Sequence, residues 1–489
     1  MNYSIIFKIL SMVFAVMAGA FSVCAGVSVI YADTPLEGEA MPSWICAIAL
    51  SLMLALAFFI PSRNAPTKLF KKEAMCIIGL AWTLASLVGA LPYVLILDCP
   101  FATAFFESAS GLTTTGASVF ASFSEFPHSL MFWRCLSHWI GGLGVVVFFV
   151  AILSFLGSGG RILYAHETSA NSGGGMETER IQSGAIRILE VYTAISVVCL
   201  ITFKLCGMGW FDGICHMFAT VSTGGFSVYE KSIAHYDSRL IDWAVIVFMF
   251  IGGVSFTAII LALEFRHKRL AQNTEFWTYL GIITASSFII FALICTSQPS
   301  ILDAFTHSVF QTVSIMTTTG LASAPYQNWL PSTHIVLFAL MIIGGCAGST
   351  SGGLKVSRVV ASFKILLRDV EKSFRPRVVR NITLNGKTLD ESDTNSILSF
   401  VVLYSFIAII AFIVFTIFEP DASITTCISS VLSLMGNVGP GFGDVGPDKT
   451  YGFMKDHTKI FLSMLMIMGR LEFYAILVLF MPSLWKKFE

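Results

Sequence analysis

Charge is scarce in this 489-residue chain. Asp, Glu, Lys and Arg make up 12% of it, where a soluble domain carries about 25%. Hydrophobic residues reach 55% and mean hydropathy is +0.78, which excludes a soluble domain and points to an all-α polytopic membrane protein. The formal net charge is zero, so nothing in the total favours a nucleic-acid partner. Cysteine pairs at metal or disulfide spacing are missing. The eleven cysteines, Cys24, Cys46, Cys135, Cys199 and Cys295 among them, lie mostly in apolar runs and never form C-x-x-C, as expected of small buried hydrophobes. The nine histidines have no ligand spacing. No glycine fingerprint for phosphate follows a strand, so no organic cofactor is expected in this chain. No cleaved leader is expected either. The apolar run from Ile5 to Tyr31 exceeds a signal-peptide core of about 7–15 residues and suits a retained span.

The apolar runs give ten spanning candidates: 5–31, 42–61, 73–97, 131–156, 186–206, 241–265, 275–296, 334–365, 396–418 and 458–482. The last eight fall into pairs. Between the members of each pair lies a short apolar segment, at 101–112, 210–221, 302–315 and 422–435. These are too short to cross about 30 Å of hydrocarbon and fit re-entrant half-helices. Each runs into a small-residue loop: Thr113-Thr114-Thr115-Gly116-Ala117-Ser118, Ser222-Thr223-Gly224-Gly225-Phe226-Ser227, Thr317-Thr318-Thr319-Gly320-Leu321-Ala322 and Asn437-Val438-Gly439-Pro440-Gly441-Phe442. A second marker keeps step with the first inside the following helix: Gly141-Gly142, Gly252-Gly253, Gly344-Gly345 and Gly469-Arg470. The expected organisation is an N-terminal helix pair (1–72) and four pore repeats (73–156, 186–265, 275–365 and 396–482), with a cytoplasmic loop at 366–395.

Lysine and arginine cluster in 62–72, 266–270, 366–395 and at Lys486 and Lys487, while 32–41 and 297–333 have none. The positive-inside bias therefore puts both termini in the cytoplasm and all four half-helices on the outer side. Segment 157–185 contains Gly173-Gly174-Gly175 and reads as a flexible loop. In 366–395, Asn385-Gly386 between two short β-prone runs signals a hairpin able to dock a soluble partner; an ordinary charged loop is the alternative.

Backbone at membrane depth outside a helix must be buried in protein or line a water-filled path. Four such loops read as one site, a ring of oxygens replacing the water of a cation. Glycine permits the backbone angles that turn carbonyls to one axis, and half-helices aimed by their C-terminal ends add negative potential.

The four loops and their half-helices resemble the Trk/Ktr/HKT superfamily of potassium transport proteins, most of all the bacterial Trk-type pore-forming subunit, over essentially the whole chain. The resemblance implies potassium as the transported ion and a filter at Thr114, Thr115, Gly116, Ser222, Thr223, Gly224, Thr318, Thr319, Gly320, Asn437, Val438 and Gly439. The filter glycines are then Gly116, Gly224, Gly320 and Gly439. Gly116 in the first loop, where sodium-preferring plant relatives have Ser, points to potassium. Asn437-Val438 departs from the hydroxyl-rich pattern. The resemblance further implies a homodimer, a cytoplasmic nucleotide-binding regulatory ring as partner, and the bacterial inner membrane.

The run Gly344 to Gly353 lies within a spanning segment, where its glycines and hydroxyls should break the helix; close helix packing is the alternative. The resemblance makes it the intramembrane gate, with Gly345, Cys346, Ala347, Gly348, Ser349 and Thr350 acting together with Arg470. By repeat alignment Arg470 replaces Gly142, Gly253 and Gly345, which are taken to leave room below the filter. An intramembrane arginine costs at least about 2.5 kcal/mol. The structural alternative is an ion pair, with Glu472 one candidate. Glu107 is a brace or a cation attractor, and Arg134 and His138 are braces. The competing function is a sodium- or proton-coupled secondary transporter of a small solute. An enzyme using Ser349 with His138 or His307 has no supporting spacing.

Overall fold

The computed structural model describes residues 2–65, 71–156, 178–378 and 381–485. The Gly173–Gly175 stretch, Lys486 and Lys487 lie outside them. The chain runs α1 (Tyr3–Ile30), α2 (Pro35–Phe59), α3 (Lys71–Gly89), α4 (Leu91–Leu97), α5 (Phe101–Leu112), α6 (His128–Leu156), α7 (Thr178–Leu205), α8 (Trp210–Val221), α9 (Arg239–Gly253) and α10 (Phe256–Leu263). It continues through α11 (His267–Ala271), α12 (Thr274–Ile294), α13 (Ile301–Met316), α14 (Pro331–Ile343) and α15 (Val356–Phe374). After the strands β1 (Thr383–Leu384) and β2 (Lys387–Thr388) come α16 (Glu391–Phe418), α17 (Ile424–Met435), α18 (Asp456–Arg470), α19 (Tyr474–Leu477) and α20 (Pro482–Trp485). The protein is an all-α polytopic membrane protein. Among the described residues six helices are long and apolar enough to cross a membrane, or up to eight if two bent pairs each count as one span.

Side chains at the helix starts explain several boundaries. Asn273, Ser300, Asp390 and Ser423 each accept an N–H from the first turn of the helix that follows, which satisfies a donor the helix itself leaves unpaired. The hairpin forms as its sequence indicates, with Leu384 opposite Lys387 and both turn residues at positive φ, Asn385 at 49° and Gly386 at 76°.

Two expected straight spans are broken. The segment 241–265 bends by 106° between α9 and α10, and 458–482 bends by 117° after α18. The first break follows Gly252-Gly253, where extended Val254 ends one helix and the Ser255 side chain caps the next. The freed Gly252 and Gly253 carbonyls accept from Thr350 at 3.3 Å and Cys346 at 3.0 Å. The break expected at Gly344–Gly353 is present between α14 and α15, and the two breaks satisfy each other's backbone. The third break has Glu472 and Phe473, neither of them glycine, at φ 53° and 64°.

The N-terminal pair docks on the first repeat through a buried carboxylate. Glu37, 1% exposed, accepts the Ser129 N–H at 2.8 Å and its hydroxyl at 2.6 Å. Trp44 donates to the same hydroxyl at 2.9 Å. Phe21 packs edge-on against Trp133.

Candidate ion pathway

The four short helices α5, α8, α13 and α17 end alike. The residue after each C-cap is left-handed without being glycine: Thr114 (φ 53°), Thr223 (φ 54°), Thr318 (φ 57°) and Asn437 (φ 55°). The next N–H reaches back to the last turn in every copy, Thr115 to Ser110, Gly224 to Ala219, Thr319 to Ser314 and Val438 to Ser433, at 2.7–2.9 Å. This is the Schellman closure. A β-branched residue in that conformation is strained by about 1–3 kcal/mol, and here it recurs at three of four matched positions.

That geometry sets the register of the repeats and corrects one position. Gly116, Gly320 and Gly439 follow two residues after the left-handed one, at φ 78°, 76° and 102°; the second-loop residue so placed is Gly225, at φ 88°. Gly224 instead corresponds to Thr115, Thr319 and Val438, and a Cβ on it would stand 2.4 Å from the His138 ring. Ser222 corresponds to Thr113 and Thr317, and all three hydroxyls donate back to a carbonyl of their own helix. Two adjacent glycines made the register ambiguous in sequence.

The four matched glycines close a ring. A Cβ on Gly116 would meet the Gly224 carbonyl oxygen at 2.2 Å, on Gly225 that of Thr319 at 1.9 Å, on Gly320 that of Val438 at 2.1 Å and on Gly439 that of Thr115 at 2.4 Å. Each loop therefore packs its glycine on the carbonyl of the next, and the fourth returns to the first. The four loops that follow these helices thus contact one another in a closed cycle. Asn437 fits the odd loop into it: its side-chain N–H₂ donates to Thr115 Oγ1 and to the Met466 carbonyl, both at 3.0 Å.

The support behind each loop differs. Glu107, fully buried, pairs with Arg134 Nε at 2.7 Å and accepts from the Ser118 hydroxyl and the Val119 N–H. Arg134 also donates to the Ser227 carbonyl at 3.0 Å, which ties loop one to loop two. His138 bonds the Gly111 carbonyl through Nδ1 at 2.7 Å and accepts the Phe226 N–H at Nε2. His216 meets Ser227, and His307 meets Ser323. Glu107 and His138 are thus braces, and both ring nitrogens of His138 are occupied. Ser349 bonds Cys346 and Ser351.

Loop 344–355 hangs directly from the ring. The Thr350 hydroxyl donates to the Gly252 carbonyl at 3.0 Å and receives the Thr223 hydroxyl at 3.1 Å. The Gly352 N–H donates to Thr318 Oγ1 at 2.7 Å. Arg470 donates through Nη1 to the Thr350 carbonyl at 2.7 Å and through Nη2 to the Gly141 carbonyl at 3.1 Å. Glu472 takes both terminal nitrogens of Arg358. The matched glycines do not leave open room, contrary to expectation. A Cβ on Gly142 would meet Ser222 at 2.7 Å, on Gly253 Tyr279 at 2.4 Å and on Gly345 Ser351 at 2.1 Å. They are close-approach positions.

Two further residues bond this loop. Lys355 (φ 78°) donates to the Ser351 carbonyl, and Glu275 accepts from Ala347.

A family model described as TrkH, cation transport protein, matches residues 46–487. The chain belongs to the TrkH cation transport family. It is 32% identical to the Trk system potassium uptake protein TrkH of Vibrio parahaemolyticus, over 99% of this chain and all of that one. It is also 32% identical to the TrkH of Escherichia coli K12 over both full lengths, and 30% identical to the TrkG of the same organism over 87% of this chain and 88% of that one. The crystal structure of the potassium transporter TrkH from Vibrio parahaemolyticus superposes with a TM-score of 0.88 at 28% identity, covering 99% of this chain and all of that chain. As a member of the TrkH family the chain is a multi-pass transport protein.

Proposed function

We propose that this chain is the pore-forming subunit of a system that takes up potassium across the bacterial inner membrane. The observation that carries this reading is the closed ring of Thr115, Gly224, Thr319 and Val438 carbonyls against Gly439, Gly116, Gly225 and Gly320 in turn. Carbonyl rings of this kind replace the hydration shell of a cation, and each helix C-terminus aimed at the ring adds about half a negative charge. The filter is assigned to Thr114–Gly116, Thr223–Gly225, Thr318–Gly320 and Asn437–Gly439. Potassium is the cargo, as in the relatives' names.

Loop 344–355 and Arg470 form the gate below it. Arg470 brings a fixed positive charge and crosslinks the loop to the first repeat. Ten spans, four pore repeats and an N-terminal pair, with both termini in the cytoplasm, agree with the lysine and arginine distribution. A homodimer and a cytoplasmic nucleotide-binding ring complete the system in this reading.

The test is growth of a potassium-uptake-deficient strain on limiting potassium, with ⁸⁶Rb⁺ flux into proteoliposomes. Rescue together with flux is expected. No rescue and no flux from folded protein would overturn the assignment.

A further inference from the structure

The cytoplasmic hairpin and the intramembrane loop meet at one buried carboxylate. Glu275 is the second residue of α12 and is 4% exposed. Its Oε1 accepts the Ala347 N–H at 2.6 Å and the Ser357 N–H at 3.2 Å. The first donor lies within loop 344–355, and the second lies in the first turn of α15 beyond it. The same residue's backbone N–H donates to Asn385 Oδ1 at 3.0 Å. Asn385 is the first turn residue of the hairpin, left-handed at φ 49°.

The hairpin is held at a second point. Lys364 of α15 donates to the Thr383 carbonyl at 2.7 Å. Ile382, Leu384 and Leu389 bury against Ala361 and Ile365 of the same helix. The hairpin therefore bridges the helix that carries Glu275 and the helix that continues the gate loop.

A carboxylate in a helix's first turn already has its own helix terminus as a favourable neighbour. Here it turns to two donors on a different segment. A carboxylate this buried is stable only while hydrogen-bonded. Displacement of loop 344–355 takes the Ala347 N–H away from it and leaves only the Ser357 N–H of α15, so the site resists displacement of the loop. Contact between Asn385 and the Glu275 backbone fixes the helix end from which the carboxylate reaches.

We propose that Glu275 is the positioning residue that latches loop 344–355 in its obstructing conformation, and that the hairpin, through Asn385, sets the latch. A partner that pulls the hairpin from the start of α12 releases the loop. This rests on the reading above that the loop obstructs the ion path.

The test uses full-length protein in proteoliposomes, with Glu275→Ala, Glu275→Gln and Asn385→Gly. The glycine variant keeps the left-handed turn and removes the side chain that accepts the Glu275 N–H. Two readouts are needed: ⁸⁶Rb⁺ flux, and hydrogen exchange of the amides of residues 345–357. Glu275→Ala is expected to raise flux about tenfold, the population shift that follows loss of a charge-assisted bond. Glu275→Gln falls between, because one amide oxygen still accepts. Asn385→Gly raises flux in the same direction. In all three, exchange rises at 345–357 while loops 113–116 and 317–320 stay protected.

Wild-type exchange at 345–357 in Glu275→Ala and Asn385→Gly overturns the latch. So does a rise that includes the filter loops, which marks general loosening. Absence of flux from the wild-type protein would overturn the transport reading alone, and the exchange result then decides the latch by itself.

Discussion

Arg470 donates to the carbonyl of Thr350 at 2.7 Å across 120 positions of sequence. One guanidinium thus joins the end of the last repeat to the loop that interrupts the third. Its second bond, to Gly141 at 3.1 Å, reaches the first repeat. Arg470→Ala removes these two bonds and the guanidinium charge, and is expected to raise basal ⁸⁶Rb⁺ flux in proteoliposomes by tenfold or more, since each charged hydrogen bond contributes about 1.5–3 kcal/mol. Arg470→Lys should fall between, because an ammonium lacks the planar fork that spans two carbonyls. Unchanged or lower flux from well-folded protein would leave Arg470 a structural crosslink.

Gly116→Ser and Gly225→Ser should act alike. Each added Cβ falls within 2.2 Å of the carbonyl oxygen of the next loop, and that carbonyl must turn or retreat. Potassium over sodium selectivity, measured as a flux ratio, is expected to fall in both. Full selectivity in Gly225→Ser would return the second filter position to Gly224.

Removing Glu107 strands Arg134, which is 1% exposed. Breaking a buried ion pair on one side costs about 3–5 kcal/mol. Glu107→Ala should lower the unfolding midpoint in detergent accordingly, and Glu107→Ala with Arg134→Met should recover much of the loss. Equal midpoints for the single variant and wild type would mean that Arg134 finds another acceptor.

Thr350→Val keeps the side-chain shape and deletes the hydroxyl that contacts Gly252 and Thr223. About 1 kcal/mol per neutral hydrogen bond predicts a flux rise of a few-fold, smaller than that of Arg470→Ala. An equal or larger rise would assign the restraint to the hydroxyl rather than to the guanidinium.

Much of this architecture was legible without coordinates. Composition identified the membrane, segment length separated spans from half-helices, and the repeated Thr and Gly runs marked the four loops. These are local properties: hydrophobic length and turn chemistry act over ten to twenty residues wherever they occur. The break at Gly344–Gly353 belongs with them, because glycine weakens a helix in any context. The breaks after Gly253 and Arg470 do not. Glu472 and Phe473 take left-handed angles that their own preferences oppose, and the break after Gly253 is satisfied by Cys346 and Thr350 from another repeat.

Register and pairing were decided in three dimensions. Gly224 and Gly225 are interchangeable in a string, and only the carbonyl of Thr319 against one and the ring of His138 against the other tell them apart. Glu275 and Lys355 look like ordinary residues at helix starts, yet both bond loop 344–355. The physical reason is the same for each. A sequence encodes what a residue prefers, whereas a close approach or a buried hydrogen bond depends on which distant backbone the fold brings within 3 Å.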